Sequence, residues 1–415
     1  MKQRSGILYN KENRFYGRFY VCKNQNARKC KKKNRKNSDK AKQTPRQNFT
    51  RNNNQKNTQK NKGHVYGVID LGTNNCRLLV AVPSAHGFRV IDAFSRIVRL
   101  GEGLNRDKNI SEPAIERTIS ALKICVDKMK RRGVTRMWNV ATQACREAEN
   151  CDDFVKAVEQ HVDIKLDIID AKEEARLAVM GCRALLDCNY NRSIVFDIGG
   201  GSTEIIWVQY DEKRKLDIID WISIPLGVVN LSEEYGTKEA LSTAHYQEMK
   251  NRIKEYILPF EEKHNIKASI DQNKVQLMGA SGTVTTLTSM HLNQAVYDRT
   301  EVDGAWIKSI NLVNLCNDLS KMDYKERLAL NNIGNDRAEL VVAGCAILDA
   351  IIEVWPIDNV RVADRGIREG MLHDLMEKQR HINKSNRRKR SRQKYYANKK
   401  AQKKSNAENG TPINS

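Results

Sequence analysis

From residue 64 onward, apolar positions recur with strand or helix periods. The stretch "HVYGVIDLGTNNCRLLVAV" (64–82) holds two strand-like runs broken by Gly-Thr-Asn-Asn, which predicts a β-hairpin with Asp70 just before its turn. "GFRVIDAFSRIVRL" (87–100) continues the sheet. Over 111–133 the apolar residues fall three and four apart, with Ser111 placed to cap, Pro113 in the first turn and Gly133 as the stop. That pattern predicts a helix. "RMWNVAT" then reads as a strand, "CDDFVKAVEQHV" as a helix, "IKLDIID" as a strand and "AKEEARLAVMGCRALL" as a helix.

The second half restarts the theme. "RSIVFDIGGGSTEIIWVQYD" (192–211) is again strand, glycine turn and strand, with Asp197 standing where Asp70 stood, about 125 residues earlier. Helical sequence follows at 240–264, strand, glycine turn and helix at 275–290, and helix up to 368–376. The repeated hairpin predicts a duplicated architecture of two α/β domains facing one another across a cleft.

The hairpin turns carry the chemistry. Several backbone N–H groups converging on a phosphate bind it without a counter-charge, and only glycine lets the backbone come that close. Gly199, Gly200 and Gly201, with the hydroxyls of Ser202 and Thr203, form one candidate cradle. Gly72, Thr73, Asn74 and Asn75 form a second. "GASGT", with Gly279, Ser281, Gly282 and Thr283, forms a third where a strand meets a helix N-terminus. Asp70, Asp197 and Glu204 could hold a Mg²⁺ or another divalent cation that balances the phosphate charge. The plain reading of one such loop is a bulged hairpin with solvent-facing acids; three loops with acids in place favour a phosphoryl ligand.

Charge changes the picture at the ends of the chain. Residues 1–64 hold twenty Lys or Arg against two acids, and 377–415 hold thirteen against two. The formal +22 therefore divides into +18, +11 and −7 for the body between. The ends are poor in aliphatic residues, which predicts disordered basic tails able to contact RNA, polyphosphate or another polyanion, or simply to stay solvated. No apolar run is long enough to span a membrane and the start has no signal-like apolar stretch, so a cytoplasmic protein is expected. The ten cysteines show no C-x-x-C pair, which predicts reduced, mostly buried thiols.

In order, "VIDLGTNNCRLLV", "ATQACREAEN", "AKEEARL", "DIGGGSTEI", "MGASGT" and "GIREGML" resemble the exopolyphosphatase and guanosine pentaphosphate phosphohydrolase (Ppx/GppA) family. That family belongs to the superfamily of actin, sugar kinases and heat-shock chaperones. The resemblance covers roughly 65–376, with Cys76 where Ser or a small residue is expected, and lacks the C-terminal helical domain of the longer members. It implies two actin-like (ribonuclease H-like) domains, 65–177 and 178–376, with an interdomain active site and a basic tail on either side (1–64 and 377–415). It also implies hydrolysis of a terminal phosphoanhydride, on polyphosphate or guanosine pentaphosphate, and a homodimer. Glu174, the second Glu of "EEAR", matches the family's catalytic base, while Glu173 points about 100° away on a helix. Arg146 matches a motif arginine that could grip phosphate, with Arg99 a weaker candidate.

Two other classes fit parts of the sequence. An ATP-dependent small-molecule kinase of the same superfamily would share the loops but leave Glu174 without a role. A non-catalytic nucleotide- or RNA-binding protein would use the tails alone.

Overall fold

The computed structural model describes residues 63–408 except 86, 213, 214, 238, 273, 281, 335 and 336. Most of the N-terminal basic stretch, residues 409–415 and the candidate Ser281 therefore lie outside the described residues.

Strands β1 (Tyr66–Leu71), β2 (Asn75–Ser84), β3 (Gly87–Ile97), β4 (Arg136–Ala141) and β5 (Asp167–Ile168) form one sheet in the order β3-β2-β1-β4-β5. β1 to β3 are an antiparallel meander, and β4 and β5 run parallel to β1. The second sheet comprises β6 (Arg192–Ile198), β7 (Thr203–Tyr210), β8 (Leu216–Ile224), β9 (Val275–Ala280), β10 (Trp306–Lys308) and β11 (Asn359–Ala363), in the order β10-β11-β9-β6-β7-β8. Its β8-β7-β6-β9-β11 portion repeats the first sheet's order and strand directions, so the duplication read from the hairpins holds for the whole topology. β10 is an added antiparallel edge.

Each sheet is covered on both faces. Apolar residues of helices Glu112–Arg131 and Cys151–Val162 pack on one face of the first sheet, with Ile69, Leu71, Leu78 and Val80 beneath them. Helices Thr243–His264 and Val341–Val354 lie in the largest cluster, on the outer face of the second sheet. Val341–Val354 is apolar nearly all round, as a helix enclosed on every side must be.

The inner faces share one helix, Ala171–Cys182. Its Leu177 packs with Tyr66, Val68, Leu79 and Met371 on the first sheet, while Ala175, Val179 and Cys182 pack with Ile206, Val208 and Met278 on the second. The helix Ile367–Glu408 returns to lie beside it, placing Met371, Leu372 and Met376 on the first sheet. The two helices cross with backbones in contact. A Cβ on Gly181 would strike the Gly366 carbonyl, and one on Gly370 the Leu177 carbonyl.

Two stretches differ from the sequence reading. Strands β8, β10 and β11 had no clear signal: β8 is an edge strand, half-exposed for most of its length, and interrupts its apolar residues with Asp217 and Asp220. Residues 377–408 of the basic stretch 377–415, expected to be a disordered tail, continue the helix that begins at Ile367. Lys, Arg, Gln and Ala are good helix formers, and a helix already nucleated against the sheet extends at little cost. The eight described cysteines are free thiols, seven of them buried.

Candidate active site

Strand alternation aims the acids at the shared helix. Asp70 lies on the face of β1 that carries Tyr66 and Val68, and Asp197 and Glu204 lie on the face of β6 and β7 that carries Val195 and Ile206. Both faces cover helix Ala171–Cys182, so the carboxylates meet around its first turn. There Asp170 caps the helix by accepting from the Glu173 N–H at 2.7 Å, and Glu174 is buried.

The two glutamates separate as their helical spacing predicts. Glu173 turns outward into an ion pair with Arg176, 2.7 Å away, which also holds Asp374. Glu174 turns inward, where Arg146 Nη1 donates to its Oε2 at 2.7 Å and to the Ile169 carbonyl at 2.9 Å. Arg146 thus ignores its neighbours Glu147 and Glu149 in favour of the candidate base; Glu147 accepts from Gln143 instead.

The second hairpin's turn is anchored by its carbonyls. Those of Gly199 and Gly200 accept from the N–H groups of Val228 and Val229, at 3.0 and 2.7 Å, and that of Gly201 accepts from Asn230 Nδ2 at 2.9 Å. One short helix, Val228–Tyr235, therefore fixes all three glycines. A Cβ on Gly227 would lie 2.5 Å from the Gly200 backbone, which is why that helix also begins with glycine. The first hairpin's turn is fixed in the same way: the Asn74 carbonyl accepts from Val98 and Arg99, and that of Thr73 from Gly101.

The two turns touch. A Cβ on Gly200 would sit 3.0 Å from the Asn74 amide nitrogen, and one on Gly201 would meet Gln143 Oε1 and Thr73 Oγ1. Asn74 Oδ1 and Gln143 Oε1 are buried with no hydrogen-bond partner, an unmet polar demand between the halves. At the mouth, the Gly103 amide donates to Glu233 at 3.0 Å, and Arg99 lies within 3.9 Å of Glu339. Arg99 therefore bridges the mouth and pairs with carboxylates.

Ser202 and Ser223 both donate to Glu204 Oε1, at 2.6 and 3.0 Å. Thr203 lies on the opposite face of β7, where its hydroxyl donates to the Leu226 carbonyl at 2.8 Å, so that hydroxyl serves packing. The third loop divides similarly. Gly279 sits within β9, where a Cβ would lie 2.6 Å from the Phe196 ring, and Thr283 packs against Gly344. Gly282 begins helix Gly282–His291 near the Arg337 guanidinium.

Electrostatics mark the cluster as short of positive charge. Burial pushes Asp197 up to about 7, and Glu174 and Asp70 push it further, against Arg77 and Arg368. Glu174 is raised by burial and by Glu204, against the pull of Arg146. Glu204 is raised by burial and by Asp197, despite its serine donors, and burial raises Asp70. Among the described residues no three His, Cys, Asp or Glu converge closely enough to ring a metal ion by themselves. The surplus of buried carboxylate nonetheless fits a divalent cation that keeps several of its waters, as Mg²⁺ does. Asp70, Asp197 and Glu204 are the residues that would hold one.

Sequence reasoning missed Arg77 and Arg368. Arg77 pairs in register with Asp70, the position Glu204 takes opposite Asp197, so comparing the two hairpins residue by residue would have found it. Arg368, half-buried and within the electrostatic reach of Asp70 and Glu369, stood in plain sight in "GIREGML".

Two hairpin loops facing each other across a duplicated α/β body define a protein of the actin-like class. The chain belongs to the Ppx/GppA phosphatase family, whose family model matches residues 79–379. The guanosine-5'-triphosphate,3'-diphosphate pyrophosphatase of Aliivibrio fischeri (strain MJ11) is 28% identical over 317 residues, 76% of this chain and 60% of that protein. Its counterpart in Pseudoalteromonas atlantica is 27% identical over 313 residues, 75% of this chain and 59% of that one. The chain thus spans about three-fifths of the length of these curated relatives. Among solved structures, the Aquifex aeolicus Ppx/GppA family member aligns with a TM-score of 0.63 at 26% identity, covering 76% of this chain and 98% of that one. An exopolyphosphatase from Cytophaga hutchinsonii shares the fold with a TM-score of 0.68 at 24% identity, over 76% of this chain and 98% of that one.

Among the described residues no helix is long and apolar enough to cross a membrane.

Proposed function

We propose that the protein hydrolyses a terminal phosphoanhydride, removing the end phosphate of inorganic polyphosphate, the 5'-phosphate of guanosine pentaphosphate, or both. The observation that carries this reading is Glu174, buried and held by Arg146 beside two glycine turns that face each other. A carboxylate fixed there can orient a water for in-line attack on phosphorus and accept its proton. Burial and the neighbouring acids make Glu174 a stronger base than an exposed glutamate.

The amides of the Gly199–Gly201 and Gly72–Asn75 turns, with Ser202 and the Gly282 helix terminus, would bind phosphate oxygens. Arg146 orients Glu174 and would attract the transferred group, and Arg77 and Arg368 would supply further positive charge. A divalent cation bound by Asp70, Asp197 and Glu204 would neutralise charge developing on the phosphate oxygens. Attack by water needs no acceptor pocket, and it gives Glu174 a role that a kinase would leave without one.

The test is phosphate release by the purified chain with Mg²⁺, on long-chain polyphosphate and on guanosine pentaphosphate side by side. Glu174→Gln should abolish release from either substrate while leaving the fold intact. Undiminished release by that variant, or turnover seen only with ATP and an acceptor, would overturn the reading.

A further inference from the structure

The helix Ile367–Glu408 touches the site at one end and leaves the body at the other. Its first turn brings Arg368 within the electrostatic reach of Asp70, while eleven residues on Gln379 accepts from Arg136 at the start of β4, and Lys378 lies 5.0 Å over the Trp138 ring. β4 runs from Arg136 up to Ala141, beside the site, so the helix runs back down the sheet and emerges at the end opposite the cleft. From Arg380 to Lys399 every described side chain is exposed.

That segment holds nine Lys or Arg and no Asp or Glu. At 100° per residue the cations fall on all sides, leaving no apolar face to bury against protein or to insert into a bilayer. Like charges four apart, such as Arg380 with Lys384 and Arg388 with Arg392, repel one another, and among the described residues no carboxylate forms an ion pair with them. Among the described residues nothing supplies an extended counter-charge that follows the segment for its length of about 30 Å.

Within the basic stretch Tyr395 and Tyr396 are 61% and 60% exposed, their ring centroids 5.6 Å apart at 73°. A bare phosphate chain has no face for the exposed rings to stack on, whereas unpaired bases do. The exit away from the cleft likewise does not suit a feed for substrate.

We propose that residues 380–399 are a docking surface for single-stranded RNA, with the arginines neutralising phosphates and Tyr395 and Tyr396 stacking bases. The surface is separate from the hydrolytic site and does not depend on the activity proposed for it.

The test uses the full chain and a labelled single-stranded RNA of about 16 nucleotides, beside a matched RNA duplex, inorganic polyphosphate and anionic lipid vesicles. Replacing Arg387, Arg388, Arg390 and Arg392 together by Gln, which preserves helix propensity, should weaken single-strand binding by at least about tenfold. It should also flatten the slope of log affinity against log salt by about 3. Tyr395→Ala with Tyr396→Ala should cost about fivefold or more on the single strand and leave polyphosphate affinity unchanged. Both variants should keep wild-type thermal stability. RNA affinity indifferent to the four arginines, equal losses for RNA and polyphosphate in the tyrosine variant, or stronger binding of vesicles or duplex than of single strand would each overturn the proposal.

Discussion

Arg146 Nη1 lies 2.7 Å from Glu174 Oε2, and the same nitrogen donates to the Ile169 carbonyl. The carboxylate therefore keeps its position and part of its charge through one guanidinium, against burial and Glu204, which both favour its proton. Replacing Arg146 by Gln removes that opposition. Leaving an unpaired charge buried would cost about 3–5 kcal/mol, so Glu174 should take up a proton instead. Phosphate release at pH 7 should fall about 100-fold, while thermal stability changes little. A stability loss without loss of activity would contradict the assigned role.

The wild-type pH profile follows from the same shift. Glu174 is raised to about 8, so it is protonated below that pH and able to accept a proton above it. Activity should climb with pH through the neutral range and level off in mild alkali, and in the Arg146→Gln variant the climb should move to higher pH. Bound cation should move it lower, because positive charge favours the carboxylate. The limbs of a pH–rate profile taken at several Mg²⁺ concentrations measure both displacements.

Asp197→Asn should separate stability from function. Because the folded-state value of Asp197 rises from 3.8 to about 7, the charged side chain weakens the fold wherever it is ionised. That penalty is absent below the unfolded value and complete above the folded one. In metal-free protein the variant should therefore be more stable than wild type at pH 8, by on the order of 3 kcal/mol, and equal to it near pH 4. Melting curves across that range test the sign, and activity should be lost throughout.

The neighbouring Glu173 supplies the contrast. Glu173→Gln breaks a part-exposed pair with Arg176, which keeps Asp374. The cost should be about 1 kcal/mol or less, with phosphate release unchanged. Swapping the roles of the two glutamates in an activity assay would refute the helix-face argument.

Gly370→Ala tests the crossing of the two central helices. Its Cβ would strike the Leu177 carbonyl, and backbone on both sides leaves nothing flexible to yield. The expected loss is at least about 3 kcal/mol, at the upper end for overpacking. It should lower both the melting temperature and the activity, because the same crossing sets Glu174 and Arg368.

Much of this was legible in the chain because the signals are local. Alternation and a glycine turn specify a hairpin within a dozen residues, and Asp70 and Asp197 could be matched without knowing what lay between them. The helical spacing of Glu173 and Glu174 already gave them different neighbours. What could not be read depended on distant partners. Thr203 looked like its neighbour Ser202 until β8 placed the Leu226 carbonyl beside it, and Gly279 looked like a phosphate glycine until Phe196 filled the space above it. Arg368 needed the chain to return across 300 residues of sequence to Asp70.

Gly200 has a second consequence. With the Asn74 amide only 3.0 Å from where its methyl would be, the residue decides how near the two lobes can come, as a doorstop decides how far a door can shut. Alanine at this position would act as a wedge, holding the lobes ajar over a loop whose own hydrogen bonds were unbroken. The atom missing from one residue thus sets how closely two turns distant in the sequence can meet.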